Sequence, residues 1–71
     1  MKILLGIKSF EKLEDYIIET MIDTGDICEN QIDAREYIDR LINTKTITDL
    51  QYDQLIEKII DYSNDVLDRL Q

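Results

Sequence analysis

The sequence predicts an all-α protein, a compact three-helix bundle with a long C-terminal helix and two similar helix-turn-helix corners. Three observations carry that prediction. Residues 17–33 and 37–53 are two copies of one unit, IIETMIDTGDICENQID and YIDRLINTKTITDLQYD, sharing Ile18/Ile38, Ile22/Ile42, Thr24/Thr44, Ile27/Ile47, Gln31/Gln51 and Asp33/Asp53. Glu19/Asp39, Met21/Leu41, Asp23/Asn43 and Glu29/Asp49 are conservative matches. Each copy spells the end of one helix, a short turn and the start of the next, so the pair implies three helices and two corners. Apolar residues recur at helical spacing on both sides of each corner. The second copy also carries a T-x-x-Q capping box, Thr48 to Gln51, just ahead of an apolar run.

The elements follow in chain order. An apolar segment occupies residues 2–7, and the first helix is expected at about 9–22 with Ser9 as its cap. That helix turns Phe10, Leu13, Ile17 and Met21 to one side, and Gly25 supplies a left-handed stop after it. The second helix is expected at about 29–43, with Cys28 in the cap position and Gln31 reaching back. Ile27 and Ile32 would form its hydrophobic staple, and Ala34, Tyr37, Ile38, Leu41 and Ile42 its apolar face. Cysteine is a poor cap, so this helix should start less firmly than the third. In the second corner Lys45 stands where Gly25 stands in the first, which makes Asn43 the expected left-handed residue.

The third helix is expected at about 49–70, with Thr48 and Gln51 as its capping box and Ile47 and Tyr52 as its staple. At 100° per residue, Tyr52, Leu55, Ile56, Ile59, Ile60, Tyr62, Val66, Leu67 and Leu70 fill one half of its wheel. Asp53, Glu57, Asp61, Asp65 and Asp68 fill the other. At 1.5 Å per residue it would be ~33 Å long against ~21 Å for the other two, so its end should overhang. Val66, Leu67 and Leu70 then need cover from the N-terminal segment, a second copy or a partner. Ser63, in the middle of that apolar face, either permits close helix approach in a dimer or marks where packing thins.

Composition bounds the class of protein. A chain of 71 residues makes one domain, 1–71, and buries only ~60% of its unfolded surface, so its stability is marginal without a staple. One cysteine and no histidine exclude a disulfide framework and a zinc site, and suit a reducing cytoplasm. The start MKILLGI is too short for a secretory core and lacks a small-residue cleavage site, and no run reaches membrane-spanning length. A soluble intracellular protein with no membrane contact is expected. Richness in Ile, Asp and Tyr, without Pro, His or Trp, fits an AT-rich coding sequence and hence the cytoplasm of a low-GC bacterial host or one of its phages.

Charge carries the functional lean. Sixteen acids against eight bases leave a net charge of −8, and residues 9–33 alone hold eight acids and one base. Two acidic rows follow from i, i+4 spacing: Glu11, Asp15 and Glu19 on the first helix, and Asp53, Glu57, Asp61 and Asp65 on the third. Successive members lie ~6 Å apart along the axis, close to the ~7 Å between phosphates along a nucleic-acid strand. Like charges at this spacing cost roughly 0.2–0.5 kcal/mol a pair, and on the third helix only Lys58 and Arg69 relieve them. Acids that merely solvate an amphipathic helix are the plain alternative.

Other chemistries fare poorly. Helix, turn with a central isoleucine, and helix resembles an EF-hand. With Ile27 at the aliphatic loop position, Gly25 falls correctly, but Thr20, Ile22, Thr24 and Gln31 stand where calcium needs oxygen ligands, chiefly carboxylates. The second copy offers Arg40, Ile42, Thr44 and Gln51. The resemblance therefore implies a shared corner geometry and no metal. There is no glycine-rich phosphate loop and no activated nucleophile, since Asp26 and Glu29 oppose any lowering of the Cys28 pKa. No catalytic residue and no cofactor is expected. The corners also resemble a DNA-binding helix-turn-helix, but Arg35 and Arg40 on the second helix lie beside Glu36 and Asp39, so direct nucleic-acid binding is disfavoured.

The expected function is thus contact with another protein. The leading expectation is a small acidic inhibitor or regulator of the phage or mobile-element kind, a DNA mimic that blocks a basic, nucleic-acid-binding partner. Its partner-binding residues would be Glu11, Asp15, Glu19, Asp53, Glu57, Asp61 and Asp65, with Tyr62 as an anchor. The alternative is a structural or regulatory module that homodimerises through Val66, Leu67 and Leu70.

Overall fold

Helix starts and stops decide where the three helices lie. In the computed structural model, which describes residues 7–70, α1 runs Ile7–Thr24, α2 Gln31–Leu41 and α3 Asp49–Arg69, with a 3-10 turn at Thr44–Thr46. The protein is an all-α three-helix bundle. The chain is already helical at Ile7, so Ser9 is an exposed residue inside α1 and not its cap. The rest of the expected apolar segment, 2–6, lies outside the described residues. Gly25 closes α1 as expected: at φ 76° it turns left-handed, and its N–H donates to Met21 O at 2.8 Å. Nothing stands within 4 Å of where a Cβ would be, so glycine is needed there for backbone conformation and not for space.

The second helix departs from the repeat. Its cap is Asn30 and not Cys28: Asn30 Oδ1 accepts the Asp33 N–H at 2.9 Å, and Nδ2 donates to Asp33 Oδ2 at 3.1 Å. Asparagine ranks among the best caps, and a good cap two residues downstream overrides the register copied from Thr48. Gln31 therefore begins α2 instead of reaching back from inside it. Ile32 is 70% exposed, so the expected staple with Ile27 does not form. At the far end Ile42 is extended (φ −136°, ψ 163°) while its N–H still donates to Ile38 O at 3.0 Å.

The second corner closes without a left-handed residue. Asn43 sits at φ −86°, ψ 104°, and its Oδ1 accepts the Lys45 N–H at 3.1 Å, capping the 3-10 turn. Where glycine is absent, the chain avoids the left-handed region and turns through the 3-10 segment Thr44–Thr46 instead. Beyond it the capping box of α3 is complete: Thr48 Oγ1 accepts the Gln51 N–H at 3.1 Å and Gln51 Oε1 accepts the Thr48 N–H at 3.0 Å. Ile47 is buried and Tyr52 packs against the same core.

α3 is the central element, with α1 and α2 each packed on it. Two contacts fix α2 antiparallel to α3. The Tyr52 hydroxyl, near the start of α3, donates to Asp39 Oδ1 at 3.0 Å late in α2, and the Cys28 N–H, just before α2, donates to Ser63 Oγ at 2.9 Å. Ile17, Met21, Ile38, Leu55 and Ile59 are fully buried, each contributing about 1.5–3 kcal/mol of transfer free energy. Ser63 is fully buried among them. It serves neither a dimer contact nor a thinning of the core: its hydroxyl satisfies a backbone donor of the first corner and pins that corner to α3. Cys28, whose side chain is buried beside this bond, packs in the core instead of capping.

Candidate functional site

A groove of about 550 Å³ lies between α1 and α3. Glu14 and Ile18 form the α1 wall, and Gln54, Glu57, Lys58, Asp61, Tyr62 and Asp65 form the α3 wall. Ile18 and Tyr62 are half-buried against the core and make an apolar floor. Glu57, Asp61 and Asp65 are exposed along the rim, facing half-buried Glu14. Lys58 is the cation on this wall. Asp65 is held by Arg69 at 2.7 Å, an exposed i, i+4 pair worth ~0.3–0.5 kcal/mol.

The structure thus gathers part of the expected set. Glu57, Asp61, Asp65 and Tyr62 meet at one groove, but Asp53 does not join them. Each i, i+4 step advances 400°, or 40° past a full turn, so the row winds around α3 from the α2 side at Asp53 to the α1 side at Asp65. Asp53 instead borders a smaller hollow between α2 and α3 with Gln31, Arg35, Ile56 and Glu57, so Glu57 stands on the ridge between the two concavities. Glu11, Asp15 and Glu19 are exposed on α1 and do not line the groove; the helical period turns Asp15 and Glu19 away from it toward solvent. The acid that does face α3 from α1 is Glu14, absent from the expected rows. Its signal was present in the sequence: Glu14 follows Phe10 by four and precedes Ile17 and Ile18 by three and four, which places it at the border of the apolar face.

A third hollow lies over the first corner, lined by Thr20, Thr24, Asp26, Tyr37, Arg40 and Leu41. The Tyr37 hydroxyl is buried without a hydrogen-bond partner. Burial raises its pKa and Asp26 adds to the rise. The neighbouring Thr24 hydroxyl opposes it, yet is itself bonded to Thr20 O and Asp26 Oδ2. Arg40 sits 5.9 Å from the Tyr37 ring centre, within cation–π range. Burial likewise raises the Cys28 thiol, with Asp33 and Asp26 adding to the rise, which keeps it protonated and unreactive.

At the end of α3, Val66 and Leu67 are half-buried and Leu70 is 75% exposed. No group of three or more His, Cys, Asp or Glu among the described residues is placed to hold a metal ion, and no described helix is long and apolar enough to cross a membrane. The chain matches no family model, no curated protein and no solved structure.

Proposed function

We propose that this is a small acidic, non-enzymatic protein that binds and blocks a basic partner protein, acting as an inhibitor or regulator of the phage or mobile-element type in the cytoplasm of a bacterial host. One observation carries the reading: Glu14, Glu57, Asp61 and Asp65 converge on a single groove from two helices, and Glu11, Asp15 and Glu19 add exposed negative charge elsewhere on α1. Like charges at i, i+4 work against folding, and on α3 only Lys58 and the Asp65–Arg69 pair relieve them, so a stripe of them is an expense that a binding role would explain. The ~6 Å step between acids resembles the phosphate step of a nucleic acid, the chemistry a basic nucleic-acid-binding groove is built to accept. Long-range attraction would speed the encounter and make it salt-sensitive.

The test is capture of the partner by the wild-type chain and by a variant carrying Asp53→Asn, Glu57→Gln, Asp61→Asn and Asp65→Asn, eluted along a salt gradient. A basic protein held by the wild type, released by salt and lost by the variant while its helical circular dichroism persists, supports the reading. Undiminished capture by the variant refutes it. The exposed Leu70 beside half-buried Val66 and Leu67 favours a second reading, a homo-oligomer through the end of α3. Sedimentation of wild type and Leu70→Asp tests it, and a concentrated wild-type monomer would exclude it.

A further inference from the structure

We propose that the groove between α1 and α3 takes an amphipathic basic helix, with an apolar side chain of that helix seated between Ile18 and Tyr62 and its lysines or arginines reaching Glu14, Glu57 and Asp61. This rests on the acidic-face reading above and narrows it from any basic surface to one class of ligand. A purely electrostatic surface has no use for an apolar floor, and here the floor is half-open between acids. Ile18 and Tyr62 are each packed on the core from below and reachable from above. Tyrosine suits an anchor position, being apolar in body and polar at its tip.

Size and charge both match a helix. The α3 wall from Gln54 to Asp65 spans ~17 Å, about three turns, so the ligand would be a helix of about a dozen residues. Apolar anchors at i, i+3, i+4 and i+7 leave the flanking positions for cations, which is the usual layout of a helix bound in a groove. The four acids outnumber Lys58, so the groove is negative, and Lys58 should oppose a basic ligand. A flat stretch of basic protein surface would meet the rim acids but leave the floor empty.

The probes are two synthetic helical peptides of about 14 residues with the same lysines, one with leucine at its anchor positions and one with alanine there. Binding to the full chain is followed by amide chemical shifts at roughly 0.15 M salt. The leucine peptide is expected to bind at least about tenfold tighter, the effect of burying one such side chain, with the largest shifts at Ile18, Lys58 and Tyr62. Glu57→Gln with Asp61→Asn should weaken it about fivefold or more, Glu11→Gln with Glu19→Gln by less than about twofold, and Lys58→Gln should tighten it. Equal affinity for the two peptides, with the acid variants still weakening both, overturns the groove and leaves the acidic-face reading standing. Tighter leucine-peptide binding with shifts centred on Val66 and Leu70 also overturns it. No binding of either peptide, even at low salt, overturns the helix-in-groove proposal, and the acidic-face reading is then decided by the salt-gradient capture with the charge variant.

Discussion

Replacing Ser63 by alanine probes the bond that pins the first corner to α3. The hydroxyl is fully buried and accepts the Cys28 N–H at 2.9 Å. Removing it strands a buried backbone donor, which costs ~1–3 kcal/mol, while the hydroxyl's own desolvation is no longer incurred and returns part of that. Alanine leaves almost no cavity, so the net loss should be about 1–2 kcal/mol. For a chain of this length the total stability is on the order of 4–11 kcal/mol, and the loss is a sizeable fraction of it. At ~4–8 °C per kcal/mol for so small a domain, Tm should fall by about 4–16 °C in a circular-dichroism melt. Amide hydrogen exchange localises the effect: the Cys28 N–H should exchange faster relative to the α3 core amides. An unchanged Tm together with unchanged Cys28 protection would refute the reasoning, because it would mean the corner is held by packing alone.

Substitutions at three further positions and one titration test the remaining structural claims. Gly25→Ala forces a Cβ into the left-handed region and should destabilise by about 1 kcal/mol although the site has room, with Gly25→Asn milder; equal stability of all three in urea would contradict the left-handed stop. Thr48→Ala should cost about 1 kcal/mol through the lost capping box. Asn30→Ala should cost a similar amount at the start of α2, read as fraying of amides 31–34 by exchange, and no fraying would return the cap to Cys28. Burial raises the phenol pKa of Tyr37 and of Tyr52, the latter also through its bond to Asp39. The folded chain therefore keeps these protons at pH values where the unfolded chain has lost them. Their contribution to stability is full below about pH 10 and declines as pH rises from there through the folded values. Tm should drop over that alkaline window, and Tyr37→Phe with Tyr52→Phe should flatten the drop.

Local chemistry with fixed spacing was legible in the sequence. Thr48 and Gln51 announce the start of α3 because two residue types three apart close two hydrogen bonds without help from the rest of the fold, and Gly25 announces the end of α1 for a similar reason. The repeat misled at α2. It aligned Cys28 with Thr48, whereas Asn30, followed three residues later by Asp33, carried the stronger capping chemistry. Ser63 was visible as a polar residue on an apolar face, but its partner is 35 residues away, so only the tertiary structure reveals what the hydroxyl does. The groove was half-legible. The acids of α3 were readable by period, whereas Glu14 comes into play only because α1 lies against α3 with its border facing inward, a matter of packing that no single-helix pattern contains.

The winding of the acidic row on α3 gives the charged surface a handedness. A line through residues four apart leans about 26° to the helix axis, always in the same sense for a right-handed helix. A straight rod that follows Asp53, Glu57, Asp61 and Asp65 must therefore cross α3 obliquely, tilted one way and not the other. A mirror-image ligand with the same charges would lean its own rows in the opposite sense, meeting at most one or two of these carboxylates at a time. Discrimination between left and right is thus written into a surface that, counted only as charge, would be indifferent to it.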